Sequence, residues 1–157
     1  MIRKSFSPLA YLDSFNDPEI TSLLLTVNRL KTFKEWPFDN ISSAKCTSIE
    51  LAIAGFYMTS NEENAPLAKC ICCLKELTWE EDDIPLHEHL RKMPHCRLAE
   101  IISEKKEKDM TIRDILSILT MRDITIIVNS QIDEDISIIN SAMKYNDDFV
   151  VRTLKNF

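Results

Sequence analysis

From His95 to Phe157 the chain contains neither glycine nor proline, while the prolines at 8, 18, 37, 66, 85 and 94 and the single glycine, Gly55, all come earlier. These two residue types end helices and permit tight turns. The first part of the chain can therefore turn often, and the remainder can run as long helix. One glycine in 157 residues also excludes chemistry that depends on glycine-rich loops. Neither a phosphate-binding P-loop nor a dinucleotide fingerprint can be written here.

The formal net charge of −6 opposes direct contact with a nucleic-acid backbone. The densest cationic stretch, Lys105-Lys106-Glu107-Lys108, is diluted by acid and reads as a solvated surface. Arg3 and Lys4 are followed by Ser5, Ser7 and Pro8, unlike a signal peptide. No uninterrupted apolar run approaches the ~18 residues of a membrane span, so no membrane is expected. Three of five cysteines crowd into Cys70-Ile71-Cys72-Cys73, which suits metal binding in a reducing compartment better than a disulfide framework. Cytosol or nucleus is the expected location.

Asp17-Pro18-Glu19 is a helix start, with an acidic N-cap and a proline suited to the first turn. It predicts a helix from about Glu19 to Phe33 that buries Leu23, Leu24, Val27 and Leu30. Thr47-Ser48-Ile49-Glu50 fits a capping box, and Gly55 stands where the chain leaves the helix, a place that favours φ > 0. The runs Phe56-Tyr57-Met58, Leu67 to Ile71 and Leu77-Thr78-Trp79 read as a small antiparallel sheet, with Thr59 to Pro66 as its first hairpin loop. Pro85 to Met93 predicts a short helix carrying His87 and His89.

Thr111-Ile112-Arg113-Asp114 resembles a helix start, followed by the apolar stripe Ile112, Ile115, Leu116 and Leu119. Further on, Ile132, Ile136, Ile139, Met143, Val150 and Phe157 follow a heptad-like seam, and Ile138, Ala142, Tyr145 and Phe149 widen it. Such a face suits a bundle of three or more helices. The stretch Ile124 to Val128 is β-branched enough to be a strand, which leaves open whether the tail is one helix or two.

Cys70 and Cys73 have the spacing at which two thiolates wrap one zinc ion. The second half of the site comes from His87, His89, His95 or Cys96. Cys73-x15-His89-x6-Cys96 sets the imidazole on a helix and the last thiolate beyond Pro94, and an ending in His95 competes with it. Four protein ligands close the shell, so one structural zinc is expected. Cys72 is expected to face away from Cys70, and Cys46 to be a small packed residue.

These residues resemble the baculovirus-IAP-repeat (BIR) family, specifically its survivin-type members. Arg29-Leu30-Lys31-Thr32-Phe33 with Trp36-Pro37 resembles the family's opening, and Ala52-Ile53-Ala54-Gly55-Phe56-Tyr57 its A-x-A-G-F-Y. Cys70, Cys73, Lys75-Glu76-Leu77, Trp79, Asp82-Asp83, Pro85, Glu88-His89 and Cys96 follow in the family's order. The resemblance implies an α+β fold: a small zinc domain over residues 19–100, with a short three-stranded antiparallel sheet and surrounding helices. It is preceded by a segment at 1–18 and followed by a helical extension at 101–157.

The resemblance further implies a non-enzymatic reader of peptide N-termini. A groove of Lys75, Leu77, Thr78, Trp79, Asp82, Asp83 and Lys92 would take a histone tail phosphorylated on its third residue. Lys75 would face the phosphate, an exposed Trp79 would line the groove, and Asp82 and Asp83 would hold the ammonium. Thr78 and Lys92 depart from the family, which usually has a glutamate and a histidine there. Ile112, Ile115, Leu116, Leu119, Ile132, Ile136, Ile139, Met143 and Val150 would bundle with an INCENP-like scaffold and a borealin-like subunit. That assembly carries an Aurora-type kinase to chromosome, centromere and spindle, with a cytoplasmic pool and pairing of two copies when the chain is alone. The alternative is an apoptosis-inhibitor-type protein that binds Ala-initiated motifs of proteases or their antagonists. An enzyme reading would need Cys46 or Cys72 as a nucleophile beside His87 or His95. A ubiquitin-ligase RING, which needs eight ligands of its own, is excluded by count.

Overall fold

In the computed structural model, three short strands form an antiparallel sheet in the order β1 (Phe56–Ser60), β2 (Leu67–Cys70), β3 (Glu76–Thr78). The structure describes residues 13–60 and 66–154, and side chains over 14–60 and 66–145. Phe56 pairs with Cys70, Ala68 with Leu77 and Lys69 with Glu76, and the register shifts between Met58 and Ser60. Alternation carries Phe56, Ala68, Cys70 and Leu77 into the core. Most of the expected first hairpin loop, residues 61–65, lies outside the described residues, as do the structure of residues 1–12 and the side chains of Val150, Phe149 and Phe157.

The helices are α1 (Asp13–Asn16), α2 (Pro18–Ser22), α3 (Thr26–Leu30), α4 (Ser48–Ile53), α5 (Pro85–Lys92), α6 (Arg97–Glu104) and α7 (Ile112–Leu154), with a 3-10 turn at Glu107–Asp109. Two compact units divide the chain, residues 1–123 and 124–157.

The helix expected from Glu19 to Phe33 is broken at Leu23–Leu25, and Arg29 supplies the reason. The residue is 1% exposed. Nη1 donates to the carbonyls of Leu23 (2.7 Å) and Leu24 (2.8 Å), Nε to Ala52 O (2.9 Å) and Nη2 to Thr26 Oγ1 (2.8 Å). Two carbonyls that a continuous helix would need at its centre are thus turned toward a cation. The restarted helix α3 is capped from far along the chain, because Glu107 accepts from both the backbone N–H (2.8 Å) and the hydroxyl of Thr26. The same carboxylate lies 3.6 Å from Arg29 Nη2. Burial pulls the guanidinium down to about 10 while Glu107 opposes the shift, so it stays charged at neutral pH. Val27, expected inside, is 56% exposed as a result of the break.

Helix α4 starts as the sequence predicts, with Thr47 Oγ1 accepting from Glu50 N at 3.3 Å. It buries Leu51 and Ala52 and ends before Gly55, whose φ is +94°. Trp36 is buried between the edges of Phe33 and Phe38 and donates from Nε1 to Cys46 O at 2.9 Å.

Helix α7 is continuous through residues 124–128, which answers the question that the β-branched stretch left open. β-Branched residues cost a helix only a few tenths of a kcal/mol each (~0.5). That cost falls on a helix already nucleated at its start. There Asp114 Oδ2 accepts from Thr111 N and Oγ1 and from Lys105 Nζ, each at 2.8 Å, and Ile118 and Leu119 are buried. Lys105, through its side-chain hydrogen bond, and Thr111 hold the Asp114 carboxyl well below the usual range. By length and composition alone one window of α7 within residues 112–145 is apolar enough to cross a bilayer, but Ile118 and Leu119 of this helix pack into the core.

Gly55→Ala should cost about 1–3 kcal/mol, because any side chain at this φ is strained. Its Cβ would also lie 2.6 Å from Leu98 Cδ2. Urea unfolding of the zinc-loaded chain measures it as a lowered midpoint at unchanged slope. Arg29→Met should be worse, about 3–5 kcal/mol, since Glu107 and the carbonyls of Leu23, Leu24 and Ala52 lose their donor together.

Candidate metal centre

Four segments converge on one buried point. Cys70 ends β2, Cys73 lies in the following turn, His89 comes from α5, and Cys96 is the N-cap residue of α6. The turn is closed by Cys70 N donating to Lys75 O (3.0 Å) and Leu74 N to Cys70 O (3.2 Å), with Leu74 at φ +59°. No glycine marks this left-handed position, so sequence patterning could not find it.

The ligand atoms of Cys70, Cys73, His89 and Cys96 all lie within 4.8 Å of one another. Zinc–sulfur bonds of ~2.3 Å and zinc–nitrogen bonds of ~2.05 Å in a tetrahedron require edges of about 3.8 Å between sulfurs and about 3.6 Å from sulfur to nitrogen. Cys70 Sγ to Cys96 Sγ is 3.8 Å, and Cys73 Sγ to His89 Nε2 is 3.6 Å. The cage thus fits zinc, with four protein ligands and no position left for water. His89 Nδ1 lies 2.9 Å from Ala54 O. A carbonyl only accepts, so Nδ1 carries the proton and Nε2 is presented to the metal. Phe56 supports the imidazole, with ring centres 4.5 Å apart.

Protonation within the cluster is polarised. Burial pushes the Cys70 thiol well up. Hydrogen bonding within the cluster, above all with Cys70, holds Cys96 well below the ordinary thiol value. Burial alone would lower His89, but its hydrogen bonds to Cys73 and Cys96 outweigh that and lift it to about 9. Without metal the cluster therefore favours an imidazolium beside a thiolate, and zinc must displace protons to bind.

Of the alternatives left open by spacing, His87 and His95 are excluded. Both are exposed and outside the cluster, and His87 sits 3.5 Å from Glu88. Cys72, expected to face away from Cys70, lies in a turn and not in a strand. It belongs to the metal turn, buried, with its N–H donating to Cys70 Sγ at 3.3 Å. Cys46 is 0% exposed, and burial with Asp83 and Asp39 nearby pushes its thiol up to about 12, the opposite of an activated nucleophile.

The expected groove residues divide. Lys75 and Thr78 are exposed, and Lys75 has no ion pair among the described residues. Leu77 is buried, and the indole of Trp79 is 2% exposed, packed edge-on to Phe56 at 4.9 Å. An exposed Trp79 is thus corrected: period-2 alternation from Leu77 turns it inward. Asp83 accepts from Glu80 N at 2.9 Å, Asp82 faces Lys45 at 3.9 Å, and Lys92 pairs with Glu88 at 3.7 Å.

Among the expected partner-helix residues, Leu119 is corrected to a core position at 3% exposure. Ile115 is half-buried, Ile112 and Leu116 are exposed, and so are Ile132, Ile136, Ile139 and Met143. Ile118, which the predicted stripe omitted, is the residue that enters the core with Leu119.

Zinc retention should weaken progressively as pH falls from about 9 toward about 6, because protons on His89 and on the raised Cys70 thiol compete with the metal for its ligand atoms. Competition against a chromogenic chelator across this range measures it. His89→Ala should abolish stoichiometric zinc and leave the domain without cooperative unfolding.

The model of the Inhibitor of Apoptosis (BIR) domain matches residues 29–100. Baculoviral IAP repeat-containing protein 5 of Mus musculus is 36% identical over 102 residues, 64% of this chain and 70% of that protein. Protein 5.2-A of Xenopus laevis is 32% identical over 119 residues, 73% of each chain, and protein bir-2 of Caenorhabditis elegans is 37% identical over 98 residues, 62% of this chain and 31% of that one. BIR domains bind zinc, and the Cys3His cage is where this chain can do so. Similarity that continues along most of the mouse and frog proteins, on top of the zinc cage, shows that the chain belongs to the BIR family as a survivin-type member.

Proposed function

We propose that the chain is a non-enzymatic interaction subunit that joins two activities. Its helix beyond Asp123 completes a bundle with an INCENP-like scaffold helix and a borealin-like helix, and its BIR face reads a phosphorylated histone N-terminus. Together these would localise an Aurora-type kinase to chromosomes.

The observation that carries the reading is the exposure of large apolar side chains on residues 124–145. Ile132 and Ile136 are each 49% exposed, Ile139 57%, Met143 59% and Ile138 62%. Soluble chains rarely leave a continuous apolar face of this kind open, and knobs-into-holes packing against other helices is the ordinary way to cover one. On the BIR face the exposed Lys75, without an ion pair among the described residues, offers a phosphate a cation, and Lys92 offers a second if phosphate displaces Glu88. The inward Trp79 and self-bonded Asp83 leave ammonium recognition chiefly to Asp82.

Two measurements test the two halves. An Ile136→Asp/Ile139→Asp variant should keep its zinc but lose co-purification with the scaffold and borealin-like helices; retained assembly would sink the bundle. Fluorescence anisotropy with Ala-Arg-Thr-Lys peptides should show binding that depends on threonine phosphate and weakens about tenfold in Lys75→Ala. Preference for an unphosphorylated Ala-Val-Pro-Ile peptide would instead select the apoptosis-inhibitor reading.

A further inference from the structure

The two residues between the zinc ligands Cys70 and Cys73 touch more than the metal site. Ile71 and Cys72 are both 0% exposed. Ile71 N donates to Gly55 O at 3.1 Å, and its carbonyl accepts from Arg122 Nη1 at 2.8 Å. Cys72 Sγ donates to the carbonyl of Ile118 at 3.6 Å. Ile118 and Arg122 stand one turn apart on α7 and so share a face. Both residues of the metal turn therefore grip the same stripe of that helix, beside the buried Ile118 and Leu119 side chains. Among the described residues the buried Arg122 Nε has no hydrogen-bond partner. A guanidinium held at this desolvation cost indicates that its place is set by the Nη1 bond and by packing.

We propose that the zinc site and residues 112–123 of helix α7 are energetically coupled through Ile71 and Cys72, with Arg122 and Cys72 as positioning residues for the metal turn. Zinc fixes the turn in the shape that presents the Ile71 carbonyl and the Cys72 thiol to the helix. The docked helix in turn holds Cys70 and Cys73 in tetrahedral register. Coupling of this kind is reciprocal: zinc favours the docked helix by the same factor by which docking favours zinc, so loosening the start of α7 weakens zinc by up to that factor. The tail's origin is thereby a reporter of metal occupancy, and strain on the tail reaches the zinc.

The test uses the full zinc-loaded chain with two readouts, zinc release to excess chelator and amide hydrogen exchange over residues 113–122. Arg122→Met, which keeps the apolar stem, should speed both by about fivefold or more at unchanged zinc stoichiometry. Cys72→Ala should act in the same direction, and Cys72→Ser, whose hydroxyl can still donate to Ile118 O, should recover part of the loss. Asp114→Asn loosens the helix start without touching the metal turn, and it too should hasten zinc release. Should Arg122→Met fail to fold, the Cys72 pair and Asp114→Asn carry the same comparison. Faster helix exchange with zinc release at the wild-type rate would overturn the coupling, as would unchanged helix exchange in these variants.

Discussion

The Cys3His cage is the constraint on which the BIR unit depends. Strands of five, four and three residues form a sheet too small to stand on its own side chains. The cage ties the end of β2, the following turn, α5 and the start of α6 to one point, so metal binding and folding become one process. The core is built outward from it: His89 rests on Phe56, and Phe56 meets the edge of Trp79. Gly55 sits behind that stack, its carbonyl holding Ile71 and its missing side chain leaving room for Leu98. The single glycine is therefore spent at the joint between α4, the sheet and α6.

Arg29 organises a second part of the unit. A cation this deep is tolerable only with its donors engaged. The carbonyls of Leu23, Leu24 and Ala52, the Thr26 hydroxyl and the Glu107 carboxylate meet that requirement from three separate stretches of chain. One side chain thus sets the break between α2 and α3, their seating on α4, and the path of the segment leading to α7.

Features governed by local chemistry were legible in the sequence. Cysteine spacing, the Thr47 and Thr111 caps and the left-handed Gly55 each follow from a few consecutive residues. So does the pairing of the three strands, because alternation and turn residues are local too. What the sequence hid was decided by distant partners. Nothing near Leu23 announces that its carbonyl will serve Arg29 rather than a helix, and Glu107 caps Thr26 from 81 positions away. Leu74 takes a glycine-like φ because the metal turn imposes it. The inward Trp79 was readable from the alternation of Glu76, Leu77 and Thr78, had the resemblance not drawn attention to its groove instead.

The pattern on residues 124–145 bears on how many helices would cover it. At about 100° per residue, Ile132, Ile136, Ile139 and Met143 form a stripe within roughly 60° of arc, while Ile138, Ala142 and Tyr145 centre about 120° away. A single partner helix covers one such stripe and leaves the other in water. Two partners, each seated against one stripe and touching each other, cover both. The width of the face, more than its hydrophobicity, therefore favours a three-helix bundle over a simple pair.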